Sequence, residues 1–269
     1  MSNFSDIIMG RKSVRTYDGK GLSKEHINKI EEYIKTIDNP FNIPVDFRVL
    51  DAKEYGLSSP VLTGEDMYVA AKVKTCPNAE VAYGYSFEKL VLYAWSLGIG
   101  TVWIGGTMKR EVFESAVELN DGELMPCVSP IGYPAEKKSI KEVMMRKGVG
   151  ADSRIASKKL FFDEEWSNPY TPDEDVAEVL EMVRWAPSAV NKQPWRIIHK
   201  KGVYHFYEKK DPGFVREGTG DLQKIDVGIA LCHFITGLEE KGKQVDVMVE
   251  DPKINVPENV EYIVSVTIK

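Results

Sequence analysis

One helical stripe of branched apolar residues occurs twice in this chain, 149 positions apart, and the repeat constrains the fold more than any single motif. Ile27, Ile30 and Ile34 recur at the spacing that lines one helix face, and Val176, Val179 and Val183 repeat it 149 residues later. Asn42 and Asn191 share that offset, and Phe47-Arg48-Val49-Leu50 matches Trp195-Arg196-Ile197-Ile198 after a one-residue slip. Tyr83-Gly84-Tyr85-Ser86-Phe87, running on to Gly98, parallels Val227-Gly228-Ile229-Ala230-Leu231, running on to Gly242. The C-terminal Glu261–Ile268 stretch matches the last strand of the first half. Two unrelated halves could share such an order by chance, but the offsets hold over several elements, which favours duplication. The expectation is one globular domain, 1–269, built of two pseudo-repeats, roughly 1–155 and 156–269.

Composition removes whole classes of function. A net charge of −6, with Lys137-Lys138, Arg146-Lys147 and Lys158-Lys159 as scattered pairs, offers no run that could follow a nucleic-acid backbone. The start, Met1 to Ile8, lacks the basic-then-apolar order of a signal peptide, and no apolar run nears the ~20 residues of a membrane span. Cys76, Cys127 and Cys232 are few and far apart, which suits a reducing cytoplasm and shows no metal or redox spacing.

Element signals follow in order. Ser23 caps a helix that Asn39-Pro40 stops. Residues 51–80 carry no readable pattern. A long helix is expected after Tyr83-Gly84, with Phe87, Leu90, Val91 and Ala94 on one face, ending at Gly98. Thr101–Ile104 reads as a buried strand, Arg110–Leu119 as a surface helix and Pro126–Pro134 as another strand. The second half opens on Thr171-Pro172-Asp173-Glu174, a capping box with proline at the first helical position, and has a further helix over 226–241.

Three stretches carry chemistry. Ala186 to Trp195 is an elbow made rigid by Pro187 and Pro194, with Ser188, Asn191 and Gln193 set among small residues. Such polar groups can approach a flat polar ligand, or they can simply satisfy the turn's own backbone. In an extended Arg11–Arg15 segment, Arg11, Ser13 and Arg15 project to one side and suit a phosphate-sized anion, the alternative being a solvated basic loop. Gly105-Gly106 either exposes main-chain N–H groups to a ligand or merely ends a strand. Gly98 and Gly100 are not a dinucleotide fingerprint, because the third glycine is missing and the order is helix-to-strand.

The string Ala186-Pro187-Ser188-Ala189-Val190-Asn191-Lys192-Gln193-Pro194-Trp195 resembles the second signature of the nitroreductase-like flavoproteins, FMN-dependent NAD(P)H oxidoreductases. Arg11-x-Ser13-x-Arg15 followed by an aromatic is similar to their first signature, and Ile131-Gly132-Tyr133-Pro134 is typical of them too. The resemblance implies an α+β fold with a central, mainly antiparallel sheet flanked by helices. It implies that Arg11, Lys12, Ser13 and Arg15 hold the ribityl phosphate of FMN. A backbone amide along Ile104, Gly105 and Gly106 would meet the N5 edge of the flavin, where hydride arrives. The elbow, through Pro187, Ser188, Ala189, Asn191 and Gln193, would lie against a flavin held mainly by the other subunit of a dimer. The family often adds a last phosphate-binding Arg or Lys after its Gly-Tyr-Pro, and Arg154 is the choice here, across a long interval.

The halves are unequal. Phe161 to Trp166, with Asp163, Glu164 and Glu165, stands where the second set of phosphate-binding cations would be, and Gln244 to Met248 replaces the diglycine. Conversely, Asp38-Asn39-Pro40-Phe41-Asn42-Ile43 replaces the elbow in the first half. One whole site can be assembled from the two halves and its symmetry mate cannot. This resembles the branch in which a single chain mimics the usual two-flavin dimer. It implies a cytoplasmic monomer passing reducing equivalents from NADH or NADPH through FMN to a small acceptor, such as a nitroaromatic or quinone. No catalytic side chain is expected, because the cofactor supplies the reactive atom; His233 reads as a satisfied core histidine. A flavin-binding or storage protein is one alternative; a reductive dehalogenase-like relative, with 51–80 as a lid, is another.

Overall fold

Two helices, Ala79–Ser96 and Leu222–Glu240, are apolar almost all round and cross at the centre of the molecule. The computed structural model describes residues 4–269. Gly84 and Gly228 let the two backbones touch. A Cβ on Gly84 would stand 2.1 Å from the Ile225 carbonyl oxygen, and one on Gly228 would stand 2.1 Å from that of Val81. Both pairings join residues whose counterparts lie 144 positions apart, Val81 with Ile225 and Gly84 with Gly228. The contact is therefore reciprocal, as in an isologous interface between identical subunits. The helices Phe4–Gly10 and Glu174–Arg184 pack against this pair.

A five-stranded sheet lies in each half. In the first, Val45–Asp51, Met67–Lys74, Val128–Gly132 and Gly100–Thr101 run side by side, all antiparallel, with Glu123–Leu124 added to Met67–Lys74. In the second, the order is Val245–Met248, Val260–Ile268, Val203–Lys209, Trp195–Lys200 and Phe161–Asp163. Its last pair is parallel, with Phe161 opposite Ile197; the others are antiparallel. One apolar core runs through both halves, from Val69 and Val91 to Val227 and Val264, and a smaller one surrounds Tyr68 and Phe113.

Several expectations shift. Part of 51–80 belongs to the core: Met67–Lys74 is a central strand, buried from Tyr68 to Val73 and paired on both edges. Its apolar run is broken by Lys72, whose amine is held by the Glu118 carbonyl oxygen and Glu123, so the strand pattern was hidden. The first long helix begins at Ala79, before Gly84. That glycine marks the close helix crossing instead of a start. The expected capping box at Thr171 is replaced by Asp173, which accepts from the Val176 N–H at the head of Glu174–Arg184. Ser23 does cap Lys24–Ile34, accepting from the His26 N–H. The Thr101–Ile104 strand shrinks to Gly100–Thr101 plus a bridge between Ile104 and Val128, while Arg110–Ala116 and Leu222–Glu240 are the observed spans of the two other helices.

The crossing generates a test. Gly84→Ala and Gly228→Ala should each cost about 3 kcal/mol, because backbone rather than a flexible side chain blocks the added carbon. The double variant should cost less than the sum, since helices parted by the first methyl already admit the second. Gly148→Ala, a helical position with open space around it, should be neutral or stabilising by about 0.5–1 kcal/mol. Urea unfolding of the four proteins checks all three statements.

Candidate functional site

The N-terminal helix ends at Gly10 and the chain then runs extended against the first sheet. The Val14 N–H donates to the Thr101 carbonyl oxygen at 2.9 Å, and Ser13 bridges Thr101 in parallel. Gly100 makes this possible, since a Cβ there would sit 2.8 Å from Val14 Cγ2. Arg11 is buried, its Nε has no hydrogen-bond partner, and the nearest carboxylate is Glu88 at 3.9 Å. Burial lowers the Arg11 pKa, against the attraction of Glu88. Burial also lowers that of Arg15, whose backbone N–H donates to Glu142. Lys12 between them is exposed.

Two further arginines come to this place. The helix Ile140–Gly148, capped by Ser139, carries Arg146, which repels the charge of Arg11, Arg15 and Arg154 alike. Arg146 was read from sequence only as half of a scattered basic pair; no spacing rule tied it to the first motif. Arg154 donates to the carbonyls of Ala151, Ser153 and Trp185 and lies over the Trp185 ring at 4.6 Å. Its Nε is buried without a partner, and burial together with Arg11 and Arg184 pushes its pKa down to about 10. Arg146 has one carboxylate, Asp152, and Arg15 and Arg154 have none within 4 Å among the described residues. Four guanidinium groups are thus held together against three carboxylates, Glu88, Glu142 and Asp152, an excess of positive charge that a phosphate would relieve.

The elbow follows the helix Glu174–Arg184 and is strained. Val190, Asn191 and Gln193 all lie at positive φ, 44°, 59° and 51°. A β-branched residue there is an outlier and costs of the order of 1–3 kcal/mol. The turn is over-determined by its bonds. Ser188 Oγ accepts from the Gln193 N–H, and both oxygens of Asp226 accept from the Ala189 N–H at 3.1 Å. The Asn191 amide donates to the carbonyls of Gly150 and Ser153, and Gln193 accepts from the Ile155 N–H. These side chains therefore satisfy local backbone, as the plainer reading of the elbow supposed. They also clamp it to the segment that carries Arg154.

Gly105 reaches the same place from the first half. A Cβ on it would meet Cys127 Sγ at 3.2 Å and Leu222 Cδ1 at 3.6 Å, and Gly106 faces open space. Leu222 and Asp226 are one turn apart, so Gly105 and Ala189 bracket the first turn of one helix within about 6 Å along its axis. Ile104 stays tied to Val128 by two backbone bonds. Beneath the site, buried Glu88 accepts from Trp103 Nε1 and faces His233 Nε2 at 3.0 Å. His233 Nδ1 must carry hydrogen, because its partner is the Met182 carbonyl oxygen. The histidine is thus a satisfied core residue that joins Arg11 of one half to the helix before the elbow in the other.

With this geometry in view, the comparisons decide the family. Residues 3–238 match the family described as "Putative TM nitroreductase". The chain belongs to this nitroreductase family. It is an oxidoreductase. A crystal structure of a putative nitroreductase from Thermotoga maritima is similar over 99 % of this chain and 94 % of its own, with a TM-score of 0.67 at 18 % identity, which shows the fold. A putative NADH dehydrogenase/NAD(P)H nitroreductase from Bacteroides thetaiotaomicron is 25 % identical, over 52 % of this chain and 91 % of its own, at a TM-score of 0.43. An FMN-dependent nitroreductase from Clostridium difficile is 18 % identical, over 49 % and 88 %, also at 0.43. Among curated proteins no sequence matched.

This nitroreductase family member also buries acid beside the elbow, which the sequence did not reveal. Burial pushes the Asp226 carboxyl well above its ordinary value, with Asp221 and Glu208 adding repulsion against the favourable Ala189 N–H. Glu208 is 1 % exposed, neither oxygen has a partner, and burial raises its pKa to about 8. Between the usual carboxylate value and about 8, folded Glu208 holds a proton that the unfolded chain has released. Unfolding then releases a proton, so stability should fall as pH rises from about 5 to 8. Melting temperatures across that window should fall less steeply for Glu208→Gln; parallel curves would show that Glu208 is not the titrating group.

Proposed function

We propose that this chain binds one FMN between its halves and uses it to carry reducing equivalents from NADH or NADPH to a small acceptor such as a nitroaromatic or quinone. The observation that carries the reading is the cluster of Arg11, Arg15, Arg146 and Arg154, with buried guanidinium nitrogens left unpartnered, tied through the Arg154 segment to a strained elbow. The residues present fit the cofactor. FMN, when bound, supplies a ring that accepts a hydride from the donor and passes electrons on. The chain supplies position and field. Arg11, Ser13 and Arg15, with Arg146 and Arg154, form the phosphate end. Gly106, with open space on its side-chain face, and Gly105 beside it bring backbone to the ring edge, and Ile104 anchors them to Val128. Pro187, Ser188, Ala189, Asn191 and Gln193 form a wall whose shape is set by internal bonds. Lys12, exposed, contributes charge at longer range.

A reductive dehalogenase-like role keeps only the part of 51–80 before Met67 as a covering segment, since Met67–Lys74 is a core strand. Storage remains the rival, and anaerobic titration separates the two. NADH or NADPH should bleach the bound flavin, and an added quinone should restore its colour. Tight FMN binding with no bleaching by either donor would mean storage. A reducing cytoplasm is the proposed setting, in keeping with three free cysteines.

Two further outcomes are expected. Arg15→Ala should weaken FMN by about 1.5–3 kcal/mol, roughly ten- to a hundredfold, and leave riboflavin unchanged, because only FMN carries the phosphate. Equal loss for both ligands would place Arg15 in the fold instead. Flavin absorbance against protein concentration should give one FMN per chain, and light scattering a monomer. The surface that a dimer would bury already lies inside the polypeptide, at the crossing of Ala79–Ser96 with Leu222–Glu240.

A further inference from the structure

Behind the elbow lies a second concavity, of about 660 Å³, within the usual size range of small-ligand sites. Arg154, Lys158, Lys159, Arg196 and Lys209 line it, and no acidic side chain does. None of these five cations has a carboxylate within 4 Å among the described residues, in a chain whose net charge is −6. Arg196 decides that this is more than a fringe of surface lysines. It is 7 % exposed, and its guanidinium is held by the carbonyls of Gln193 and Trp195 alone. Burial lowers its pKa to about 10, with Asp211 as the offsetting charge. A buried guanidinium that spends its bonds on neutral acceptors keeps its charge for an anion.

The wall opposite is aromatic. Phe162 and Trp166 stack at 4.9 Å between centroids, 20° apart, and Trp166 remains partly open. Sequence reading held that the acidic run Asp163-Glu164-Glu165 would repel phosphate from this end of the molecule. In the fold, cations from three separate segments, 154–159, 196 and 209, surround the concavity, and those acids do not line it. An indole face beside convergent cations is a stacking platform with an electrostatic trap.

We infer that this concavity binds a phosphorylated nucleoside, with its base on Trp166 and its phosphates on Lys158, Lys159, Arg196 and Lys209. The inference stands apart from the flavin reading, because Arg154 alone is shared with the flavin site. The same chemistry is offered by a free nucleotide and by the adenosine end of a phosphorylated nicotinamide donor.

Calorimetry on the FMN-loaded protein with ATP, NADPH, NADH and inorganic tripolyphosphate tests it. ATP or NADPH should bind with one site per chain. Lys158→Glu with Lys209→Glu should weaken it by about tenfold or more. Trp166→Ala should weaken it by roughly tenfold and leave tripolyphosphate unaffected. Arg15→Ala should leave nucleotide binding unchanged while weakening FMN, so failure here and failure of the flavin site are read separately. A free nucleotide is the source if ATP binds without raising the KM for NADPH. The donor's own end is the source if ATP competes with NADPH and the charge reversals raise the KM for NADPH. The proposal is overturned if neither nucleotide binds, if tripolyphosphate binds as tightly as ATP and Trp166→Ala changes nothing, or if Arg15→Ala removes nucleotide binding.

Discussion

Everything in this molecule hangs on a backbone-to-backbone contact between two helices. A Cβ on Gly84 or Gly228 would stand 2.1 Å from a carbonyl oxygen, so a methyl group at either position forces the helices apart. The closeness joins two helices of 18 and 19 residues, most of them buried, and each helix packs against the sheet of its own half. It also fixes where the halves meet at their edges. The first turn of Leu222–Glu240 receives Gly105 from one half and the Ala189 N–H from the other, so the site is a consequence of the crossing. A slip of one residue along either helix would turn the glycine away from its partner and pull both walls out of register.

Charge is the second organising constraint, and it is left unresolved within the polypeptide. Four arginines crowd one another against three carboxylates, with Glu88 shared among Arg11, His233 and Trp103, Glu142 beside Arg15 and Asp152 held by Arg146. Folding them together costs energy that the core must offset. Strain at Val190 and the buried acids Glu208 and Asp226 add to that cost within the same region. Proteins concentrate such unfavourable features where a ligand relieves them, and here the elbow is tied both to Asp226 and to the segment that carries Arg154.

The two halves differ in what their matching loops hold. Asn42 and Asn191, related by the repeat offset, are both left-handed, with φ of 53° and 59°. The first keeps the backbone conformation of an elbow without its hydroxyl and amide set: Asn39 ties that loop to Ile43 and Ser86 instead. Backbone geometry thus persists after the polar groups that would face a ligand are gone.

The sequence by itself determined the repeated helical stripe and the elbow, because these rest on local periodicity and on proline geometry, while the α+β character and the antiparallel pairing came only with the resemblance of its motifs to a known family. It also marked Arg11, Ser13 and Arg15, since three alternating residues in an extended run share a side whatever surrounds them. Only the tertiary structure decided the rest. Met67–Lys74 was invisible because a strand buried on both faces and carrying a paired lysine has neither alternation nor an unbroken apolar run. Arg146, 131 residues beyond Arg15, and Arg196, apparently part of a plain strand, acquire meaning only from what packs beside them. The same holds for Gly84, whose missing side chain reads as a breaker in one dimension and as a contact in three. Local patterns encode elements; the loss of a hydration shell, which gives a buried charge or a bare glycine its consequence, is a property of the packed whole.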